Sequence, residues 1–372
     1  MARLRVAVIV IGALALMGVG LLFLGHPKPH IEIKAEPLWT IGFIEITNTL
    51  LTAWLATAVL FVIAIFATRK MSFIPSGLQN IMEAVVEMLL TLVENTVGEK
   101  HARRFFPVIA TLFLFIVVGN WMALLPIFNT IGIVEPVGVE EDHFHEEVAV
   151  FEDRGVFVIM PNTTEIEIHF DEAVCDGVTD EHAHEECLEE GRALAIAEAR
   201  EHEGIDESSE IGLLAPYFRS MNTDLMTPMA LAIVAAIFVE WWGISTLGLV
   251  GYGKRFFAFG RLAKGDPMGI IDIFVGFLEF IAEIARLISF TFRLFGNMLA
   301  GEILLLVMTF LIPLLLALPF YGLELFVGAI QAFVFAMLTL VFGALAVTSH
   351  DGHDEEEPHA SGGEVAAAQE AE

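Results

Sequence analysis

The chain has 372 residues, 56% of them hydrophobic, with 31 phenylalanines against 19 lysines plus arginines and a mean hydropathy of +0.70. A net charge of −29 offers no basic face for nucleic acid, and the hydropathy fits a membrane protein rather than an ordinary soluble domain. The charge is localised: residues 133–220 hold 25 acids against 4 bases, residues 351–372 hold 8 acids and no base, and the remainder balances at 15 of each.

Residues 1–24 open with Arg3 and Arg5, then run apolar from Val6 to Leu24. This fits a cleaved signal peptide or an uncleaved anchor of about 19 residues, and either sends residues 25–45 outside. Residues 46–68 read as a span, stopped by Arg69 and Lys70, which mark the inner side. In residues 76–98 a helical stripe of Leu78, Ile81, Met82, Val85, Val86, Leu89, Leu92 and Val93 leaves Glu83, Glu87 and Glu94 away from its centre. That pattern predicts an amphipathic helix lying in the interface. Residues 105–127 then return outward, after Lys100, Arg103 and Arg104.

The acidic insertion follows. Residues 148–160, interrupted by Asp153, Arg154 and Gly155, predict a β-hairpin, and residues 165–170 alternate like a third strand. Residues 186–203, rich in Ala and Glu, predict a helix, so the insertion reads as a small α+β module. Cys175 and Cys187, the only cysteines, lie in it with six of the twelve histidines. A disulfide across that spacing would contribute about 3 kcal/mol. Two free thiols and a metal held around residues 181–187 are the alternatives, although no intact zinc-ligand pattern is present.

Residues 221–251 predict an inward span, with Asp224 suited to its start and Lys254, Arg255, Arg261 and Lys264 at its inner end. Residues 266–311 are too long for one perpendicular span: about 45 residues at 1.5 Å make roughly 68 Å of helix against a core of ~30 Å. Hydropathy alone permits two spans there. Residues 313–322 form the next outer turn, and residues 324–348 return inward. The layout places eleven basic residues inside and six outside, as the positive-inside rule requires. The acidic end, residues 351–372, reads as a solvated disordered tail.

The chemistry lies in the last two apolar segments. At 100° per residue, Glu279, Glu283, Arg286, Ser289, Arg293 and Asn297 share one helical stripe, and Glu302 lies on the opposite side of that helix. Glu324 and Gln331, seven apart, share a face of the following helix. An arginine at mid-membrane costs roughly 2.5–3.5 kcal/mol on insertion scales, so Arg293 requires water, a carboxylate or another protein beside it. A fixed cation with several carboxylates along two adjacent helices is the chemistry of an ion path. A structural Arg–Glu pair gluing helices together would need only one pair. No histidine falls in a predicted span, which leaves carboxylates and water to carry any proton relay.

The run Arg293-Leu-Phe-Gly-Asn-Met-Leu-Ala-Gly-Glu302, followed by Gln331-Ala-Phe-Val-Phe, resembles subunit a of the rotary F-type ATP synthase, the stator half of its membrane motor. Weaker similarity covers most of residues 37–349 outside the insertion. The resemblance implies an all-α polytopic membrane protein, with a hairpin of long tilted helices wrapping a rotor ring and a small α+β extramembrane insertion. It divides the chain into an N-terminal signal or anchor and outer segment (1–45), the first span, interfacial helix and second crossing helix (46–132), the acidic outer module (133–220), the ion-translocating core (221–350) and the tail (351–372). The family makes the connection between the flanking spans without such an insertion, which implies that the module is dispensable for the motor.

The resemblance also implies roles. Arg293 faces the membrane carboxylates of the rotor, favours their ionised form and repels cations, which blocks a direct leak. Asn297 and Gln331 orient the guanidinium and its waters. Glu302, Glu324 and Asp224 line the outer half-channel; Glu279, Glu283 and Ser289 line the inner one. Family members often carry a histidine within the pair that here is Glu302 and Glu324; two close carboxylates can share a proton. Proton and sodium both remain open as the ion, since the rotor site decides it. The implied partners are the rotor ring, the membrane subunits of the peripheral stalk, the lipid bilayer and, indirectly, the soluble ATP-synthesising head. With no nucleotide motif in the chain, ATP chemistry falls to partners; neither a cofactor nor a metal is implied. The implied location is the bacterial plasma (inner) membrane, with the module outside and the tail cytoplasmic. The rival readings are a secondary transporter, for which the sequence lacks the expected internal repeats, and a passive scaffold with an outer interaction module.

Overall fold

In a membrane, large apolar side chains belong on the lipid side and small or polar ones between helices. The computed structural model describes residues 34–41, 44–69, 71–137, 147–151, 158–159, 164–168, 170, 175, 181–205, 210–256, 269–311 and 317–348, and its first helix follows that rule. Helix α1, Asn48–Thr68, is capped by Thr47, whose side chain accepts from the Leu50 amide. It buries Asn48, Thr49, Thr52, Ala56 and Ala67 and exposes Phe61, Ile65 and Phe66. A short antiparallel hairpin, β1 (Pro37–Ile41) with β2 (Ile44–Thr47), precedes it.

Helix α2, Leu78–Met122, is interrupted at Gly98, which sits at φ 73° and ψ 158°. Only glycine adopts that conformation readily, and the break falls where the sequence ends the interfacial helix. The segment before it buries Leu89 and Val93 and leaves Leu78 and Ile81 exposed. The segment after it crosses to Met122, five residues short of the predicted end. Helix α3, Glu181–Glu203, lies in the outer module. Helices α4 (Met226–Phe256, interrupted at Gly248), α5 (Gly269–Leu311) and α6 (Ala317–Val347) complete the set. Among the described residues, α1, α2, α4, α5 and α6 are long and apolar enough to cross a membrane, so the protein is a mostly helical polytopic membrane protein. Helix α5 runs 43 residues without a break, roughly 65 Å at 1.5 Å per residue; it is one helix, not two spans.

Two contiguous clusters hold the bundle together. One joins Phe105 and Ile109 of α2, Val239 and Trp242 of α4 and Leu340 of α6, with the Phe105 and Trp242 rings stacked at 3.8 Å between centroids. The other joins Ile116 of α2, Ala235 of α4, Leu294 and Met298 of α5 and Phe335 of α6. Phe290 of α5 meets Phe335 and Phe342 of α6 at 5.1 and 5.8 Å, which fixes the two long helices against each other.

The outer module is a five-stranded antiparallel sheet in the order β5-β3-β7-β4-β6. Its strands are β3 (Ile131–Pro136), β4 (Glu147–Phe151), β5 (Val158–Ile159), β6 (Thr164–Glu167) and β7 (Glu210–Pro216). Strand β6 takes up residues 165–167 of the strand predicted over 165–170, and α3 covers the predicted helix. The predicted hairpin is corrected: β4 and β5 do not pair, since β4 lies between β7 and β6 while β5 edges β3. The physical reason is that β3 and β7, the strands nearest the spans in the chain, pair with each other, so that β4 joins the β7 side of that pair and β5 the β3 side. Ile166, Ile168, Ala195 and Ile211 form the module's core. The structure joins Cys175 to Cys187 as a disulfide, with Cα atoms 6.1 Å apart. The predicted leader, the Asp153–Gly155 interruption, residues 313–316 of the predicted 313–322 turn and the acidic tail lie outside the described residues; the rest of that turn is corrected, since residues 317–322 are apolar enough to join α6 and already form its first turns.

Candidate functional site

The stripe on α5 is built by its 4-3-3-4-4 spacing, and the structure sorts its members into different partnerships. Arg286 is neutralised: its Nη1 lies 2.6 Å from Glu283 Oε2, and its guanidinium sits 4.0 Å from the centre of the Phe342 ring. Arg293 is different. It donates to Ser289 Oγ at 3.2 Å and lies 5.9 Å from the Phe290 ring centre; among the described residues it has no carboxylate partner. Asn297 donates from Nδ2 to Gln331 Oε1 at 2.7 Å, tying α5 to α6 one turn beyond Arg293 toward the C-terminal end of α5. Glu279 lies partly buried on the N-terminal part of the same helix.

The side of α5 next to Arg293 carries small exposed residues: Ala285, Ser289, Gly296 and Ala300. A side chain added at Gly296 would meet nothing within 4 Å. Small side chains let another helix approach closely.

Toward the C-terminal end of α5 the two glutamates come together. Glu324 is only 5% exposed, and its carboxylate lies against Gly301, where any Cβ would collide with it. Glycine at 301 is thus what admits a carboxylate from α6 beside Glu302, and the two groups are close enough to interact through their charges. Glu302 Oε1 accepts from Asn129 Nδ2 at 2.7 Å and lies 3.9 Å from Arg219 Nε. Its other oxygen, Oε2, and Glu324 Oε1 are buried without a hydrogen-bond partner among the described residues. Two adjacent carboxyl groups, each with an oxygen left open, can hold and pass a proton.

Further polar side chains bond between the helices without touching this pair. Asn222 donates to Asn120 Oδ1 at 2.6 Å, and Asn120 Nδ2 donates to the Gly328 carbonyl of α6 at 3.1 Å. Asp224 caps α4, accepting from the Met226 amide at 3.3 Å, and its second oxygen accepts from Thr49 Oγ1 of α1 at 3.2 Å. Asn120, Asn129 and Arg219 escaped the sequence reading. A lone asparagine in the apolar run around residue 120 was the available signal for the first; the other two act through tertiary contacts that no local pattern encodes.

Residues 50–344 match the model of the ATP synthase A chain. The chain is also 27% identical over 324 residues to ATP synthase subunit a of Gloeobacter violaceus, covering 87% of this chain and 93% of that protein. The matched region contains the whole of the Arg293 stripe, the Glu302–Glu324 pair and the outer module between them and α2. The chain belongs to the ATP synthase A chain family.

Proposed function

We propose that this chain is the ion-translocating stator subunit of an F-type ATP synthase, with two offset half-channels meeting at Arg293. The observation that carries the reading is Arg293 itself. A guanidinium at that depth is costly without a counter-charge; of the flanking carboxylates on α5, Glu283 is occupied by Arg286 and Glu302 lies beside Arg219. The missing carboxylate is then supplied by a partner: the membrane carboxylate of a rotor subunit, docking on the small-residue side of α5. In a low-dielectric setting the attraction between the two favours the ionised rotor site. A proton therefore leaves the rotor on one side of Arg293 and is replaced on the other.

Glu302 and Glu324, with Asp224 nearer the outer surface, supply the outer path. Glu279, Glu283 and Ser289 supply the inner one. Asn297 and Gln331, bonded to each other, hold the α5–α6 seam next to Arg293. The remaining partners are the membrane subunits of the peripheral stalk and, through the rotor, the soluble head that makes ATP. The location that fits is a bacterial inner membrane, with the acidic module outside.

Cross-linking tests the docking face. Ser289→Cys or Ala300→Cys, in a complex whose rotor subunits carry a cysteine beside their membrane carboxylate, is expected to form disulfide-linked adducts on mild oxidation. Ile237→Cys or Trp241→Cys, on the exposed side of α4, is expected to form none. Adducts from α4 with none from α5 would overturn the docking face.

A further inference from the structure

The outer module is rooted in the outer path. Strands β3 and β7 pair from Gly132–Pro216 to Pro136–Gly212. Below that ladder the same two chains stay bonded: the Tyr217 amide donates to the Ile131 carbonyl at 2.9 Å, and the Asn129 amide to the Phe218 carbonyl at 3.0 Å. This two-stranded stem ends on the membrane helices, where Phe218 packs with Ala56, Met122, Phe128 and Met221. One residue from each root reaches Glu302. Asn129 occupies the left-handed region at φ 57°, a conformation asparagine tolerates better than most residues, and its side chain donates to Oε1 at 2.7 Å. Arg219, 5% exposed, brings Nε to 3.9 Å from the same oxygen, while its Nη1 donates to the Lys34 carbonyl at 2.9 Å.

We propose that the β3–β7 stem is a strut that holds the Glu302 carboxylate in place, with Asn129 and Arg219 as its positioning residues. The inference rests on the reading of Glu302 as part of the outer path. Both groups address one oxygen, Asn129 by a hydrogen bond and Arg219 by its charge. An acceptor facing the Asn129 N–H at 2.7 Å keeps its lone pair there, so the proton that Glu302 takes up sits on Oε2, the oxygen on which no described residue donates. The strut thereby fixes which atom of Glu302 exchanges protons and how it is aimed. The insertion and the motor are accordingly joined at the stem, and the module's dispensable part ends before Arg219.

The test is a mutant cycle in the assembled, purified complex, reading proton-driven ATP synthesis in vesicles. Asn129→Ala and Arg219→Gln are each expected to slow synthesis on the order of tenfold, the usual scale for losing a hydrogen bond or close contact to a charged group. Arg219→Lys, which keeps the charge, is expected to recover most of the loss. In a Glu302→Gln background, neither Asn129→Ala nor Arg219→Gln is expected to slow the enzyme further, because both act through that carboxylate. A full-size effect of Arg219→Gln persisting in that background would overturn the strut and leave the outer-path reading standing. Wild-type rates for Glu302→Gln alone would instead remove the outer-path reading. Deleting residues 138–209, which keeps the β3–β7 stem, is expected to preserve synthesis; deleting residues 133–220, which removes Arg219, is expected to lose it. Full activity in an assembled complex carrying the larger deletion would also overturn the strut.

Discussion

Replacing Arg293 by alanine is expected to abolish ATP-driven proton pumping in a complex that still assembles. The expectation follows from what else stands at that depth. Arg286, the only other arginine on α5, lies seven residues toward the inner end, roughly 10 Å away along the axis. It is already paired with Glu283 and stacked on Phe342, so it cannot take over. Little in the fold depends on Arg293: among the described residues its one bonded neighbour is Ser289, a turn away on the same helix, and the α5–α6 seam is held by Asn297–Gln331 and the Phe290 contacts. Assembly is therefore expected to survive. Lysine is expected to restore little, since it lacks the planar, permanently charged fork of arginine. Coupled pumping at wild-type level in the alanine variant, measured by acidification of vesicles, would contradict the assignment.

The second large effect concerns the paired glutamates. Glu302→Gln and Glu324→Gln are each expected to slow proton flux at least about tenfold, the lower end of general acid–base effects. The double variant is expected to lose less than the product of the two. Groups that act as one unit are not additive, and here the carboxyl of Glu324 lies over Gly301, beside Glu302. Glutamine keeps the shape and hydrogen-bonding capacity of both sites but removes the exchangeable carboxyl proton, so the comparison isolates proton transfer from packing. Flux measured for the two single variants and the double decides the matter. Strictly multiplicative losses, or wild-type flux in the double, would show that these carboxylates do not form one path.

Which parts of this arrangement were legible in the sequence follows from the range of each interaction. The Arg286–Glu283 pair is three residues apart on one helix, so periodicity alone places the two side chains together. The bounds of α1 follow from hydropathy bounded by charge, and the break in α2 follows from Gly98; α4 begins five residues later than its hydropathy suggests, and α6 seven residues earlier, because no charge marks its start. Hydropathy could not decide between one helix and two in residues 266–311, because a long apolar run records solvent preference and not tilt; the family resemblance decided it. Asn297 and Gln331 are 34 residues apart, and nothing local says that they bond. The order of the sheet was hidden for the same reason: alternation announces a strand without naming its partner, and the pairing of β3 with β7 depends on where the spans deliver the two chains. Arg219 counted only as one more outer base in the charge tally, whereas folding carries it beneath the module to Glu302. The disulfide lay between these cases, since two cysteines twelve apart allow the bond without requiring it.

The central claim is that ions cross only where this chain meets a rotor. The direct measurement is passive proton flux through vesicles bearing the membrane sector stripped of its soluble head, compared with vesicles in which the rotor ring is omitted. Flux that requires the ring, and that the Glu302→Gln, Glu324→Gln double variant slows, is the predicted result. Equal flux with and without the ring would mean that the chain is a channel or transporter in its own right, and would contradict the account.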